Sequence, residues 1–365
     1  MKIAHLTSVH AAADVRIFVK ECSSLARAGN DVYYVVPNSE SGVVNGVQII
    51  SFKTERRGRI KRMWKTVNEV YEKALELDAD VYHLHDPELL RIGTKLKKKG
   101  KHVIYDAHED LPRQILAKQY IPKIIRKTLS VFAEKTENRK AKKLSAIVAA
   151  TPFIRERFKK VNPNTIDVNN YPILEELIQE IDYLDKTENN ICYVGGITEI
   201  RGILELIEST NEAQCKLILA GIFSPKELEE KAKSTPGWKN VDFLGMVDRK
   251  EISNIYKNSK AGIVTLYPTI NYLDSLPIKM FEYMVAGLPV VASNFPYWID
   301  IVEKNEAGIC VDPKNPNEIA KAVKHIFNDP YKAKVMGEKG KKLVLEKYNW
   351  KNEESKLLQL YESLK

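Results

Sequence analysis

Short runs of mostly apolar residues recur along this 365-residue chain, and spans with helical spacing separate most of them. A helix between two successive strands is the crossover that parallel pairing requires, so the alternation predicts an α/β fold with parallel sheets. The runs fall into two series. Residues 2–7, 31–36, 47–52, 81–84, 102–105 and 145–149 make the first; residues 191–194, 216–220, 240–244, 261–266, a run ending at Ala292, and 308–311 make the second. Between the series lie the turn signals Asn162-Pro163-Asn164 and Asn169-Asn170-Tyr171-Pro172, then an acidic span that fits neither period. A chain of this length exceeds what one core accommodates. The expected division is a first domain at 1–165, a linker at 166–190 and a second domain at 191–345.

Hydrophobic residues make up 44% of the chain, enough for two cores and too many for disorder. No uninterrupted apolar stretch is long enough to span a bilayer. The start, MKIAHLTSVH, is not expected to act as a signal peptide, because His5 breaks its apolar run and no small-residue cleavage site follows. Cys22, Cys192, Cys215 and Cys310 are far apart and sit in apolar patterns, which predicts buried free thiols and a cytoplasmic protein. The net charge of +9 is uneven: residues 1–170 hold 32 Lys and Arg against 19 Asp and Glu, a local +13. The clusters at Arg56–Arg62, Lys95–Lys101 and Arg139–Lys143 contribute much of it. Without an aromatic-interleaved basic segment or a nucleic-acid motif, the excess points to an acidic membrane surface and away from nucleic acid.

In an open α/β sheet, ligands gather at the carboxyl ends of the strands. The run at 81–84 ends in His85-Asp86-Pro87-Glu88, and the run at 102–105 ends in Asp106-Ala107-His108-Glu109-Asp110. Two strands thus deliver histidines and carboxylates to one sheet edge. His108, flanked by acids that favour its charged form, is the leading candidate to hydrogen-bond a substrate hydroxyl; His85 and Asp86 stand beside it. The loop after the first strand, SVHAAAD, carries no GxGxxG, so a dinucleotide fingerprint is absent. With no HExxH and no DxD pair at a strand end, no metal is expected.

The second series opens on Gly195-Gly196 between strand and helix, with Arg201 near the helix start. Glycines let the backbone approach a ligand, and an arginine there can fork onto phosphate. Further on, DSLPIKMFEYMVAGLPVVA (274–292) reads as a loop with Asp274, a helix with Pro277 in its first turn, a stop at Gly287 before Pro289, and a strand. Lys279 and Glu282 are three positions apart and share a helix face. Backbone N–H groups, the dipole and an ammonium together form a seat for a nucleotide diphosphate, with a carboxylate deeper in for hydroxyls.

In these residues the chain resembles the retaining glycosyltransferases of family 4, which carry the GT-B fold of two facing Rossmann-like domains. The matching pieces are Val194-Gly195-Gly196 through Arg201-Gly202, Leu219-Ala220-Gly221, Phe243-Leu244-Gly245 and the stretch 274–292. Asp14-Val15-Arg16-Ile17-Phe18, His85-Asp86-Pro87 and Asp106-Ala107-His108-Glu109 match more loosely. Tyr348-Asn349-Trp350 resembles the start of the helix, here 346–365, that crosses back onto the first domain. The resemblance implies sugar transfer from a UDP- or GDP-linked donor to an acceptor hydroxyl with retention, and no metal or other cofactor. It places Glu282 on the ribose and Asp274, one methylene shorter than the family's first glutamate, on the donor sugar. His108 is implied to contact the sugar near the reacting carbon. The family's usual phosphate-gripping Arg and Lys are Gly196 and Arg201 here, so Lys279 is left to supply the second charge. A sugar or lipid-linked sugar acceptor is expected on the first domain, near Asp14, Arg16, His85 and Asp86. A lipid-linked acceptor accounts for the basic first half, and for peripheral attachment to the inner face of a membrane.

Two other readings stay open on the residues alone. One is a nucleotide-sugar 2-epimerase of the same architecture, which needs no acceptor. The other is a non-catalytic partner subunit, favoured by Asp274 and Gly196.

Overall fold

The computed structural model describes every residue except 56–57, 59–61, 119–120 and 179–181, so most of the Arg56–Arg62 cluster lies outside the described residues. The chain divides into two compact units, Met1–Asn170 with Lys351–Lys365, and Tyr171–Trp350. The boundary splits the expected linker. Thr165–Asp167 is a strand of the first sheet, whereas Tyr171, Leu177 and Tyr183 are buried in the cores of the second unit.

The first sheet contains β1 (Lys2–Leu6), β2 (Asp31–Pro37), β3 (Gly42–Val44), β4 (Val47–Phe52), β5 (Val81–Leu84), β6 (His102–Ala107), β7 (Ala146–Ala149) and β8 (Thr165–Asp167). Their order is β3-β4-β2-β1-β5-β6-β7-β8, parallel throughout except for the β3–β4 hairpin. That hairpin turns at Asn45-Gly46, both at positive φ, the pairing a tight two-residue turn favours. β3 and β8 are too short to read from periodicity. On β1 and β5, alternation sends Ala4, Leu6, Tyr82 and Leu84 to one apolar cluster, and therefore the register partners His5 and His83 to the opposite face. The helix expected at 15–28 is present but begins as a π-helical segment, Val15–Cys22, before Ser23–Arg27 and a left-handed Gly29. It buries Arg16 and Glu21. The C-terminal helix Trp350–Glu362 packs on the same unit, where Glu353 accepts from the Asn169 N–H at 2.8 Å.

The second sheet is parallel: β9 (Asn190–Val194), β10 (Lys216–Ala220), β11 (Val241–Gly245), β12 (Ala261–Val264), β13 (Val290–Ser293) and β14 (Gly308–Val311), in the order β11-β10-β9-β12-β13-β14. Its central strands are apolar on both faces because each face is covered, whereas the edge strand β11 alternates, with Asp242 and Leu244 exposed. Ile191 and Tyr193 enter one core; Cys192 and Val194 enter the other. The helix Ile278–Val285, begun at Pro277 and ended before Gly287 at φ 71°, is buried at every position from Lys279 to Val285. A helix so enclosed carries any charge it bears into the interior.

Candidate functional site

The first unit gathers seven ionisable side chains at the carboxyl end of β1, β5 and β6. Asp106 is fully buried and is the hub. Arg16 forks onto it, Nη2 to Oδ1 at 2.7 Å and Nε to Oδ2 at 3.1 Å, while Nη1 donates to the Val168 carbonyl at 2.7 Å. The His108 Nε2–H donates to Asp106 Oδ2 at 2.7 Å, and His85 Nδ1 lies 3.2 Å from the same oxygen. Burial alone would raise the Asp106 carboxyl, but the Arg16 guanidinium and His108 hold it well below the carboxylate range. Burial pushes His85 down to about 4 despite its bond to Asp106, so its imidazole is neutral.

The loop after β1 is pinned by Asp86, which accepts from Thr7 Oγ1, Ser8 N and Ser8 Oγ at 2.9, 2.6 and 3.2 Å. Asp14 caps the first helix through the Arg16 and Ile17 N–H groups, both at 2.9 Å. His10 spans these two acids, Nδ1 to Asp14 Oδ2 at 3.0 Å and Nε2 to Asp86 Oδ1 at 3.5 Å. Burial opposes its charge, but the Asp14 hydrogen bond and the fields of Asp86, Asp14 and Asp106 prevail and raise it above 6.5. Burial would raise Asp14, yet the bonds from His10 and the Ile17 N–H bring it down to about 2. The His10 and His108 rings stand 5.1 Å apart and both reach solvent.

These contacts correct two expectations. Arg16 is 6% exposed with all three nitrogen positions engaged, and His85 is 2% exposed with both ring nitrogens bonded. Neither can meet an acceptor; they support Asp106 and His108 from behind. Asp14 and Asp86 shape the loop and orient His10. Sequence reasoning passed over His10, although its place in the loop after β1 was a usable signal. His108 alone among the expected residues combines a fixed Nε2 with a partly exposed ring.

In the second unit, β9 runs into Gly195, at φ 128°, and Gly196. A Cβ on Gly195 would stand 2.9 Å from Lys279 Nζ, and one on Gly196 would stand 3.3 Å from Arg201 Nη1. Two cations therefore lie over the glycine pair, in room that side chains would fill. Arg201 Nη1 donates to the Gly196 carbonyl at 3.0 Å. Lys279 Nζ sits 3.5 Å from the Tyr193 ring centroid and has no hydrogen-bond partner. Burial pushes its ammonium well below the ordinary 10.5, and the Arg201 charge adds to the effect. Glu282, 5% exposed, accepts from Arg249 Nη1 at 2.8 Å and Tyr256 Oη at 3.0 Å; Arg249 also holds Glu176 at 2.6 Å. Asp274 lies half-buried in the turn that precedes Pro277.

Residues 16–169 match the family model described as Glycosyltransferase Family 4, and residues 175–343 match that described as Glycosyl transferases group 1. The chain belongs to glycosyltransferase family 4. An uncharacterised glycosyltransferase of Methanocaldococcus jannaschii is 26% identical over 99% of this chain and 98% of its own length. Sucrose-phosphate synthase of Thermosynechococcus elongatus superposes with a TM-score of 0.81 at 19% identity, covering 100% of this chain and 98% of that one. Anabaena HepE in complex with UDP-glucose gives 0.75 at 16%, with both chains covered fully. The fold is that of the GT-B glycosyltransferases.

Position 196, where the resemblance led to the expectation of a phosphate-gripping arginine, supplies no cation. The gap is filled in space: Arg201 folds back over Gly196, and Lys279 reaches Gly195 from the buried helix. Arg249 and Tyr256, which sequence reasoning did not single out, orient Glu282. Their distance along the chain from 282 left no local signal.

Proposed function

We propose that this glycosyltransferase moves a sugar from a UDP- or GDP-linked donor to an acceptor hydroxyl with retention at the anomeric carbon. The observation that carries the reading is the unpartnered, buried Lys279 ammonium beside Arg201 over the glycine pair, which a diphosphate would satisfy. Glu282 takes the ribose hydroxyls, Asp274 a hydroxyl of the donor sugar, and His108 a sugar hydroxyl through Nδ1, its Nε2 being fixed by Asp106. Departure of the diphosphate breaks the anomeric C–O bond. The leaving oxygen takes the acceptor proton while the acceptor oxygen bonds to the same face of the carbon. Arg201, Lys279 and the helix N-terminus at Pro277 stabilise the leaving charge, so positioning and electrostatics carry the rate. HepE, which shares the fold, is known bound to UDP-glucose, which favours a uridine donor.

A lipid-linked acceptor at an acidic membrane face is the second part of the proposal. The helix Lys123–Ala141 supports it: Ile124 is 90% and Phe132 67% exposed, with Ile125, Leu129 and Val131 also outward among Lys123, Lys127 and Lys135. Apolar side chains among lysines suit a headgroup boundary. No helix among the described residues is long and apolar enough to cross a membrane.

The test is a thermal-shift panel of UDP- and GDP-sugars, followed by transfer from the best donor to vesicle-borne acceptors. A saturating donor at about 100 times its Kd should add about 2.7 kcal/mol to stability. Retention shows as an unchanged anomeric configuration by NMR. Stabilisation by no nucleotide-sugar refutes the donor site; conversion of the sugar without acceptor replaces transfer with epimerisation.

A further inference from the structure

Behind the substrate-facing histidines lies a second, wholly buried group that the proposed transfer does not use. His5, Glu21 and His83 are each 0% exposed, and each can bring a ligand atom within 4.8 Å of the others. His5 Nε2 and His83 Nε2 lack a hydrogen-bond partner, and Glu21, whose carboxyl burial and the neighbouring Asp106 raise well above the ordinary value, has only Asp106 to bond when protonated and no partner as a carboxylate. Arg16 Nε comes within 3.3 Å of Glu21 Oε1, but its N–H is directed at Asp106 Oδ2, so the contact is ionic only. Buried polar atoms are rarely left unpaired, and this many in one place call for an occupant.

The hydrogen bonds around the group fix what it offers. Asp106 is an acceptor, so His85 carries its proton on Nδ1 and presents a bare Nε2. That atom, 2.9 Å from His5 Nδ1, must receive the His5 proton, which leaves His5 Nε2 as an unshared lone pair. His83 Nδ1 lies 2.9 Å from Tyr361 Oη, which can donate or accept; in the tautomer whose Nδ1–H donates to that oxygen, the unpartnered Nε2 is a second bare nitrogen. One ring nitrogen anchored and the other bare is how metal-binding histidines are set. The neighbouring trio His85, Asp106 and His108 also has ligand atoms close together, but these are spent on one another and on Arg16.

We propose that His5, His83 and Glu21 bind one divalent transition-metal ion, with His85 and Tyr361 as the groups that orient the two imidazoles. Two imidazoles and a carboxylate suit Zn²⁺, with a water completing a tetrahedron. The ion ties β1, β5, the first helix and, through Tyr361, the C-terminal helix into one body. Its role is to fix the floor beneath His85 and His108, not to take part in transfer.

The full-length protein, purified without chelators, is assayed for metal by mass spectrometry; stripped protein is then titrated with Co²⁺ alone. About one zinc per chain and d–d bands saturating at one equivalent of Co²⁺ are expected. X-ray absorption on the wild type should show N/O ligands at about 2.0–2.1 Å including imidazole. Glu21→Gln and His83→Gln should weaken Co²⁺ at least tenfold, Tyr361→Phe roughly 10- to 100-fold, and His108→Ala not at all, each with its fold checked by circular dichroism. Metal-free wild type that gives no cobalt bands overturns the site, whatever the variants do. So do bands that survive Glu21→Gln and vanish in His108→Ala.

Discussion

Lys279→Met should make the protein more stable and a poorer binder of nucleotide diphosphate. Lys279 is 8% exposed, its ammonium has no hydrogen-bond partner, and the nearest cation, Arg201, repels it. A buried polar group left unsatisfied costs about 1–3 kcal/mol, which methionine, of similar length, recovers. For a unit of the size of Tyr171–Trp350, that gain raises Tm by roughly 2–12 °C. The same substitution removes a charge-assisted hydrogen bond to phosphate of about 1.5–3 kcal/mol, so affinity for UDP or GDP falls roughly 10- to 150-fold. Scanning fluorimetry gives the first number and titration calorimetry the second. The pH dependence has a definite sign. Because the folded-state pKa of Lys279 lies below 10.5, the unfolded chain binds more protons there, and wild-type stability gains as pH rises through the interval up to 10.5. The Tm gap between variant and wild type therefore narrows towards alkaline pH. Diphosphate binding favours the charged form and so raises the Lys279 pKa; any proton taken up on binding appears as a buffer-dependent enthalpy in wild type and is absent in the variant. A variant that melts lower and binds nucleotide undiminished would falsify the assignment of Lys279 to the anion seat.

Three further substitutions separate the other roles. Glu282→Gln should weaken UDP or GDP by roughly 1.5–3 kcal/mol while leaving inorganic pyrophosphate untouched, since only the nucleotide brings a ribose; equal loss for both ligands would move Glu282 off the sugar. His108→Ala should leave the circular dichroism spectrum intact and lower kcat by roughly 10²- to 10³-fold, the usual loss for a positioned polar group at the reacting centre. Unfolding instead would mean that His108 serves only to neutralise Asp106. Asp274→Glu should change kcat with nucleotide affinity unaltered; a changed affinity for the bare nucleotide would place residue 274 away from the donor sugar.

Much of this architecture was legible because it rests on local signals. Period and glycine stops located most strands, and the strand ends put His85, Asp86, Asp106 and His108 on one edge. The depth of each side chain was not legible, because it depends on pairings between distant segments. Arg16 reads as a loop-facing cation, yet Asp106 and the Val168 carbonyl take its donors and draw it inside. Glu21 sits in an unremarkable helical pattern, and only the π-helical start of that helix and the register of β1 with β5 bring it to His5 and His83. A search for metal-ligand spacing could not have found ligands drawn from one helix and two strands. Lys279 and Glu282 do share a helix face, but the helix is buried all round, which turns a plausible solvated pair into a cation without a partner and an acid held by Arg249.

Position 196 tests whether Arg201 works in space that a side chain there would take. A side chain at Gly196 would start 3.3 Å from Arg201 Nη1 and 3.7 Å from its Cζ, so a new arginine there contends with Arg201 for one volume. The obstacle is the far end of a flexible side chain, not backbone, and the protein should fold. Gly196→Arg ought then to displace Arg201 rather than add a charge beside it. In the wild-type background the gain in diphosphate affinity should stay well under the ~1.5 kcal/mol of an independent charged hydrogen bond. In an Arg201→Ala background the same substitution should restore most of what was lost. A double-mutant cycle measured by calorimetry with inorganic pyrophosphate reads the difference directly. If the two substitutions prove additive, with a tenfold or greater gain in wild type, the sites are independent, and the glycine at 196 is a lost cation rather than the space in which Arg201 works.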